Sequence, residues 1–139
     1  MTTYEFLTDP TGDQIAQLLL LYEAAGWWHP GPGAPEHLLR LVDGSHCFLT
    51  AARAGSLVGM GRAISDGVSD AYIQDVTVLP EFRGRGIGSA IVSGLLARLR
   101  MDGIGWVGLI AERNSHGFYR RLGFSEMTDS LPMILKNEE

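Results

Sequence analysis

One cysteine, Cys47, stands in a chain of 139 residues. It allows no internal disulfide and no cysteine-based zinc site, and it reads as a small core residue. No apolar run approaches the roughly 20 residues that span a bilayer. Leu18-Leu19-Leu20-Leu21 is too short and is closely flanked by polar residues, so no membrane partner is expected. Met1-Thr2-Thr3-Tyr4-Glu5 has neither the basic nor the apolar region of a signal peptide, so a cytoplasmic location is expected. Charged residues are modest at 19% and hydrophobic residues reach 45%, ordinary values for a globular protein. His37 and His46 have no metal-ligand spacing with one another or with carboxylates, so no metal is expected. With no repeat, low-complexity tract or linker, residues 1–139 read as a single domain.

The net charge of −5 argues against a general nucleic-acid binder. Residues 83–121 hold seven of the eleven basic residues and only two acids, a local balance of +5 against −10 for the remainder. A basic segment in an acidic protein suits one compact polyanionic ligand.

Apolar spacing predicts a short strand over residues 3–7. A helix follows, capped by Thr11 or Asp13, with Ile15, Leu18, Leu19 and Tyr22 on one face and a stop near Gly26. After the aromatic loop Trp27-Trp28-His29-Pro30, a second helix runs from about Pro35 to Gly44. Two strands flank Ala54-Gly55-Ser56 as a hairpin. A strand at 71–79, a long helix after the next turn, a strand at 104–111, a helix at 114–122 and a closing strand at 131–135 complete the order. The predicted class is mixed α/β, with helices flanking a central sheet.

Between the strand at 71–79 and the long helix lies Arg83-Gly84-Arg85-Gly86-Ile87-Gly88. Strand, glycine-rich turn and helix aim backbone N–H groups at a phosphate. The glycines permit close approach, and the helix N-terminus adds partial positive charge. Two other phosphate-binding patterns do not fit. A Walker loop needs a lysine where Gly88-Ser89 stand, and the dinucleotide fingerprint has different glycine spacing and a later acid than Asp102.

Several blocks together resemble the GNAT family of N-acetyltransferases. Arg83, Gly86 and Gly88 match its acyl-CoA signature. Val76-Thr77-Val78 and Pro80 precede it, and Asn114, Phe118-Tyr119 and Gly123-Phe124 follow in the family's order. The resemblance covers nearly the whole chain. It implies the GNAT fold, a mostly antiparallel sheet whose two central strands, here 71–79 and 104–111, splay apart. It also implies acetyl-CoA as donor and direct transfer of its acetyl group to a primary amine of a small molecule or peptide. Backbone groups from Arg83 to Ser89, through Gly84, Arg85, Gly86, Ile87 and Gly88, would then hold the pyrophosphate, with charge from both arginines. Val76, Thr77 and Val78 would line the pantetheine arm, and the N–H near Val76 would stabilise the oxyanion. Tyr119 would protonate the departing thiolate, beside Phe118. Asn114 would cap its helix and touch the cofactor arm. Homodimerisation is compatible with the family.

Deprotonation of the amine leaves two routes open, Asp75 or a water relay. Residues 104–111 contain no acid, and side-chain alternation lets only one of Gln74 and Asp75 face the substrate. Tyr22, Trp27, Trp28 and His29 frame an amine through cation–π contact or else serve as core and loop anchors. A domain of the same fold that binds acyl-CoA as a sensor, without turnover, is the alternative of another class. Steady release of free CoA with an amine separates the two.

Overall fold

The computed structural model describes residues 1–136. Two compact units divide the chain, Met1–Leu109 and Ile110–Glu139. The first contains β1 (Thr2–Phe6), α1 (Gly12–Ala24), α2 (Ala34–Gly44), β2 (Cys47–Arg53), β3 (Ser56–Ser65), β4 (Asp70–Val78), α3 (Ile87–Met101) and β5 (Trp106–Gly108). The strands lie in the order β1-β2-β3-β4-β5. The first three pairings are antiparallel, and β4 pairs β5 in parallel. This is the mixed α/β class that the element order predicts, with the mostly antiparallel sheet that the family resemblance implies.

Local chemistry accounts for the element ends. Thr11 Oγ1 accepts from the Gln14 backbone N–H, while Gln14 Oε1 accepts from that of Thr11, a reciprocal capping box that starts α1. Ala54 and Gly55 both take positive φ, 50° and 82°, as a two-residue turn between right-twisted strands requires.

Each face of the sheet is covered differently. Ile87, Ile91, Val92, Leu95 and Leu99 recur at helical spacing and are buried along α3. The approach of α3 to β3 is close at Gly61, where a Cβ would stand 2.8 Å from Ile91 Cγ2 and 3.2 Å from Leu95 Cδ1. Met60, one residue earlier and so on the opposite face, joins Leu18, Leu21, Tyr22, Leu38, Val42 and Phe48 in a core cluster with α1 and α2.

The last two predicted strands differ from expectation. Residues 104–111 form a strand only at Trp106–Gly108, whose ladder with β4 runs from Asp70↔Trp106 to Tyr72↔Gly108. Beyond it, the Ile73–Val78 edge of β4 has no ladder partner on that side among the described residues. Residues 131–135 form no strand, and Leu131, Met133, Ile134 and Leu135 are exposed. Apolar side chains alone do not make a strand there: Pro132 removes a backbone donor, and no ladder forms to satisfy the other groups.

Gly61→Ala places a methyl group against two core side chains of α3. Such overpacking costs about 1–3 kcal/mol. Urea denaturation should show the midpoint falling with an unchanged slope.

Candidate acyl-CoA site

The pairing of β3 with β4 is irregular where it matters most. Met60 faces Thr77 and Arg62 faces Gln74, so Asp75 and Val76 together stand opposite Gly61 alone. This is a β-bulge, and Asp75 within it takes the left-handed conformation at φ 57°. Burial alternates strictly from Asp70 to Gln74, then becomes half-buried at Asp75, Val76 and Thr77 in succession. As side-chain alternation predicts, only one of Gln74 and Asp75 turns inward: Gln74 is exposed, and Asp75 directs its carboxylate toward two donors. The bulge interrupts the alternation only after Asp75. The Tyr22 hydroxyl donates to Asp75 Oδ2 at 2.7 Å and Arg62 Nε donates to the same oxygen at 2.6 Å.

Past Val78 the chain makes a short 3₁₀ turn at Pro80–Phe82 and enters the glycine-rich stretch. Gly84 and Gly86 take φ of 76° and 78°, and a Cβ at either would meet no atom within 4 Å. The backbone is therefore bare on that side, as close approach by a ligand requires. Gly86 is the N-cap of α3 and no side chain caps the helix, so its first N–H groups remain available. Ile87 is buried and anchors the helix start, while Gly88 and Ser89 are half-buried. The two arginines are more engaged than a simple phosphate clamp implies. Arg83 Nε donates to the Val78 carbonyl at 3.0 Å, tying the turn to the strand end. Arg85 lies over the Phe82 ring at 5.4 Å, with Arg53 at 5.8 Å from the same ring. The bare backbone cradle and uncapped helix fit a pyrophosphate.

The residues expected to frame an amine separate into support and lining. Tyr22 is 1% exposed, stacked on Trp28 at 4.1 Å and edge-on to Trp27 at 6.1 Å. It is therefore a core residue. Burial, and then the Asp75 charge, push its phenol well above the ordinary tyrosine value. Trp27 packs half-buried against the core cluster. Trp28 and His29 line an open pocket of about 450 Å³ with Pro30, Pro32 and His37.

In the second unit, α4 (His116–Arg121) carries Phe118 and Tyr119. Tyr119 lies edge-on to Phe118 at 4.9 Å and to Phe124 at 5.8 Å. Burial raises its pKa further above the ordinary tyrosine value. Its hydroxyl makes no hydrogen bond among the described residues. Asn114 does not cap this helix: the N-cap is Ser115, and Asn114 sits one residue earlier in the left-handed conformation at φ 61°. Asparagine tolerates that region well, which explains its presence without a cap.

The model of the Acetyltransferase (GNAT) family matches residues 13–124. The chain belongs to the GNAT acetyltransferase family. A GNAT family protein of Streptococcus pneumoniae superposes with a TM-score of 0.82 at 29% identity, covering all of both chains. Over 81 residues the chain is 41% identical to serotonin N-acetyltransferase 2, chloroplastic, of Oryza sativa subsp. japonica, covering 58% of this chain and 40% of the relative. Over 68 residues it is 43% identical to histone acetyltransferase TAP1 of Glycine max, covering 49% of this chain and 29% of that one. The chain thus spans well under half the length of these curated relatives.

Within this GNAT domain, sequence reasoning missed Arg62. Its signal was present: a lone charge inside the apolar strand Leu57-Val58-Gly59-Met60-Gly61-Arg62-Ala63-Ile64 demands a partner. Ser45 was missed as well; Arg62 Nη1 reaches its Oγ at 3.4 Å.

The raised pKa of Tyr22 sets a pH dependence. The unfolded chain ionises its tyrosines near about pH 10, whereas folded Tyr22 keeps its proton, so this contribution is whole below pH 10 and is lost as pH rises above it. Urea denaturation between pH 9 and 11.5 should show stability falling in the wild type and falling less steeply in Tyr22→Phe. At neutral pH the variant should lose about 1.5–3 kcal/mol, the worth of a hydrogen bond to a charged acceptor.

Proposed function

We propose that this protein is an acetyl-CoA-dependent N-acetyltransferase that transfers the acetyl group by direct attack of a primary amine in a ternary complex. One observation carries the reading. The open edge of β4 past Tyr72 leads, through the bulge and the 3₁₀ turn, into a glycine turn with a bare backbone and an uncapped helix start. An amide-bearing arm ending in a diphosphate needs that sequence of surfaces: free peptide groups along a strand edge, then N–H groups at a helix N-terminus.

On this reading the peptide groups of Val76, Thr77 and Val78 receive the pantetheine arm, and the turn from Gly84 to Ser89 holds the pyrophosphate. Arg83 acts chiefly by fixing the turn to Val78, and Arg85 supplies charge. The amine lone pair attacks the thioester carbon, and the Val76 N–H stabilises the oxygen as negative charge develops, a contribution of about 10²–10³ in rate. Tyr119, protonated at neutral pH as any phenol is, donates its proton to the departing thiolate. For the amine's own proton, geometry favours a water relay over Asp75, because that carboxylate already holds the Tyr22 hydroxyl and the Arg62 guanidinium.

One relative is named for serotonin and another for histones, so an arylalkylamine and a lysine-containing peptide are the first two acceptors to test. Trp28, His29 and His37 around the open pocket offer aromatic faces to such a cation. A homodimer and a cytoplasmic location are compatible with this proposal.

Free-thiol release from acetyl-CoA should depend on both enzyme and amine. Tyr119→Phe should lower kcat by about 10²-fold, the low end for acid catalysis because a thiolate leaves readily, with the calorimetric Kd for acetyl-CoA unchanged. Acetyl-CoA binding without amine-dependent release across the panel would mark the domain as an acyl-CoA sensor.

A further inference from the structure

We infer that Tyr22 and Arg62 are positioning residues for acyl transfer, and that they act by locking Asp75, which holds the β4 bulge and thereby the Val76 N–H. The inference rests on the proposal that Val76 donates to the thioester oxygen.

The conformation to be held is an unfavourable one. Asp75 is not glycine yet takes φ 57°, where its Cβ crowds the carbonyl that follows. Aspartate enters this region more readily than most residues, but a strand does not ordinarily visit it. Something must over-determine the geometry. Three elements converge to do so. Tyr22 from α1 and Arg62 from β3 both donate to Asp75 Oδ2, at 2.7 and 2.6 Å. Arg62 is itself held, since it faces Gln74 in the ladder and its Nη1 reaches Ser45 Oγ at 3.4 Å. Ser45 in turn donates to the Leu41 carbonyl at 2.7 Å, at the end of α2. Tyr22 has no freedom to swing, being buried and stacked on Trp28 at 4.1 Å. The Arg62 and Asp75 side chains are only 13% and 22% exposed, so solvent weakens their pairing little.

The arrangement also explains why the acid sits at this position. A carboxylate that swung away to take a substrate proton would leave a buried phenol and a largely buried guanidinium without their acceptor. Holding the bulge and acting as base are therefore competing roles for Asp75. Asparagine tolerates the left-handed region and its amide oxygen can accept from both donors. Glycine tolerates the backbone but supplies no acceptor. Valine does neither.

Isotope-edited infrared spectroscopy of bound [1-¹³C]acetyl-CoA reads the hydrogen bond at the thioester oxygen as a shift of the carbonyl band to lower frequency. The wild type should show that shift, and Asp75→Asn should keep it. Asp75→Gly should keep part of it with a broadened band. Asp75→Val should lose it while acetyl-CoA still binds through the glycine turn. Tyr22→Phe and Arg62→Met, each milder for folding than Asp75→Val, should both reduce the shift, and the double variant more than either. A full wild-type shift in Asp75→Val or in the Tyr22→Phe/Arg62→Met double variant would overturn the lock. No shift in bound wild type would instead overturn Val76 as the donor, and the lock's role in transfer with it.

Discussion

Asp75 and Val76 occupy, between them, the space opposite the single residue Gly61, and the geometry of the site depends on that unequal pairing. A bulge bends its strand and raises the local twist. On one side, β4 remains in its ladder with β3 as far as Val78; on the other, pairing with β5 ends at Tyr72. Among the described residues, the peptide groups of Ile73 to Val78 have no ladder partner on that second side. Gly61 is part of the same constraint, because a side chain there would strike Ile91, Leu95 and Val76 together. Packing of α3 and the shape of the β4 edge are therefore set at one point in the sheet.

The polar and apolar parts of the site support each other. Tyr22 buries its ring in the core shared by α1, α2 and β3, yet its hydroxyl reaches the bulge. Arg62 places a cation in an otherwise apolar strand and is compensated by the Asp75 carboxylate. Removing one partner strands the others, so such networks are stiff while complete and costly when broken. The glycine turn has the opposite character. It offers bare backbone and an uncapped helix, groups whose hydrogen-bonding capacity is left for a ligand.

Much of this was legible in the sequence because it is written locally. Thr11 announces a helix start, Ala54-Gly55 a tight hairpin, and the glycines at 84 and 86 a turn of positive φ that leads into a helix. The bulge was not legible, since a strand reading assumes a period of two and nothing in Gln74-Asp75-Val76 signals an extra residue. The pairing of Arg62 with Asp75 required the register of β3 on β4, a tertiary fact. Asn114 misled because asparagine serves both helix caps and left-handed turns, and here it takes the turn. Residues 131–135 misled because apolar character marks a strand only where a partner edge receives it.

The central claim is that one ligand engages the β4 edge and the glycine turn together. Titrating the ¹⁵N-labelled protein with acetyl-CoA and following backbone amide resonances tests it most directly. The account predicts that the amides of Val76 and of Gly86 to Ser89 shift together and saturate with a single Kd. Shifts confined to the pocket around Trp28 and His37, with those amides silent at saturating acetyl-CoA, would contradict it.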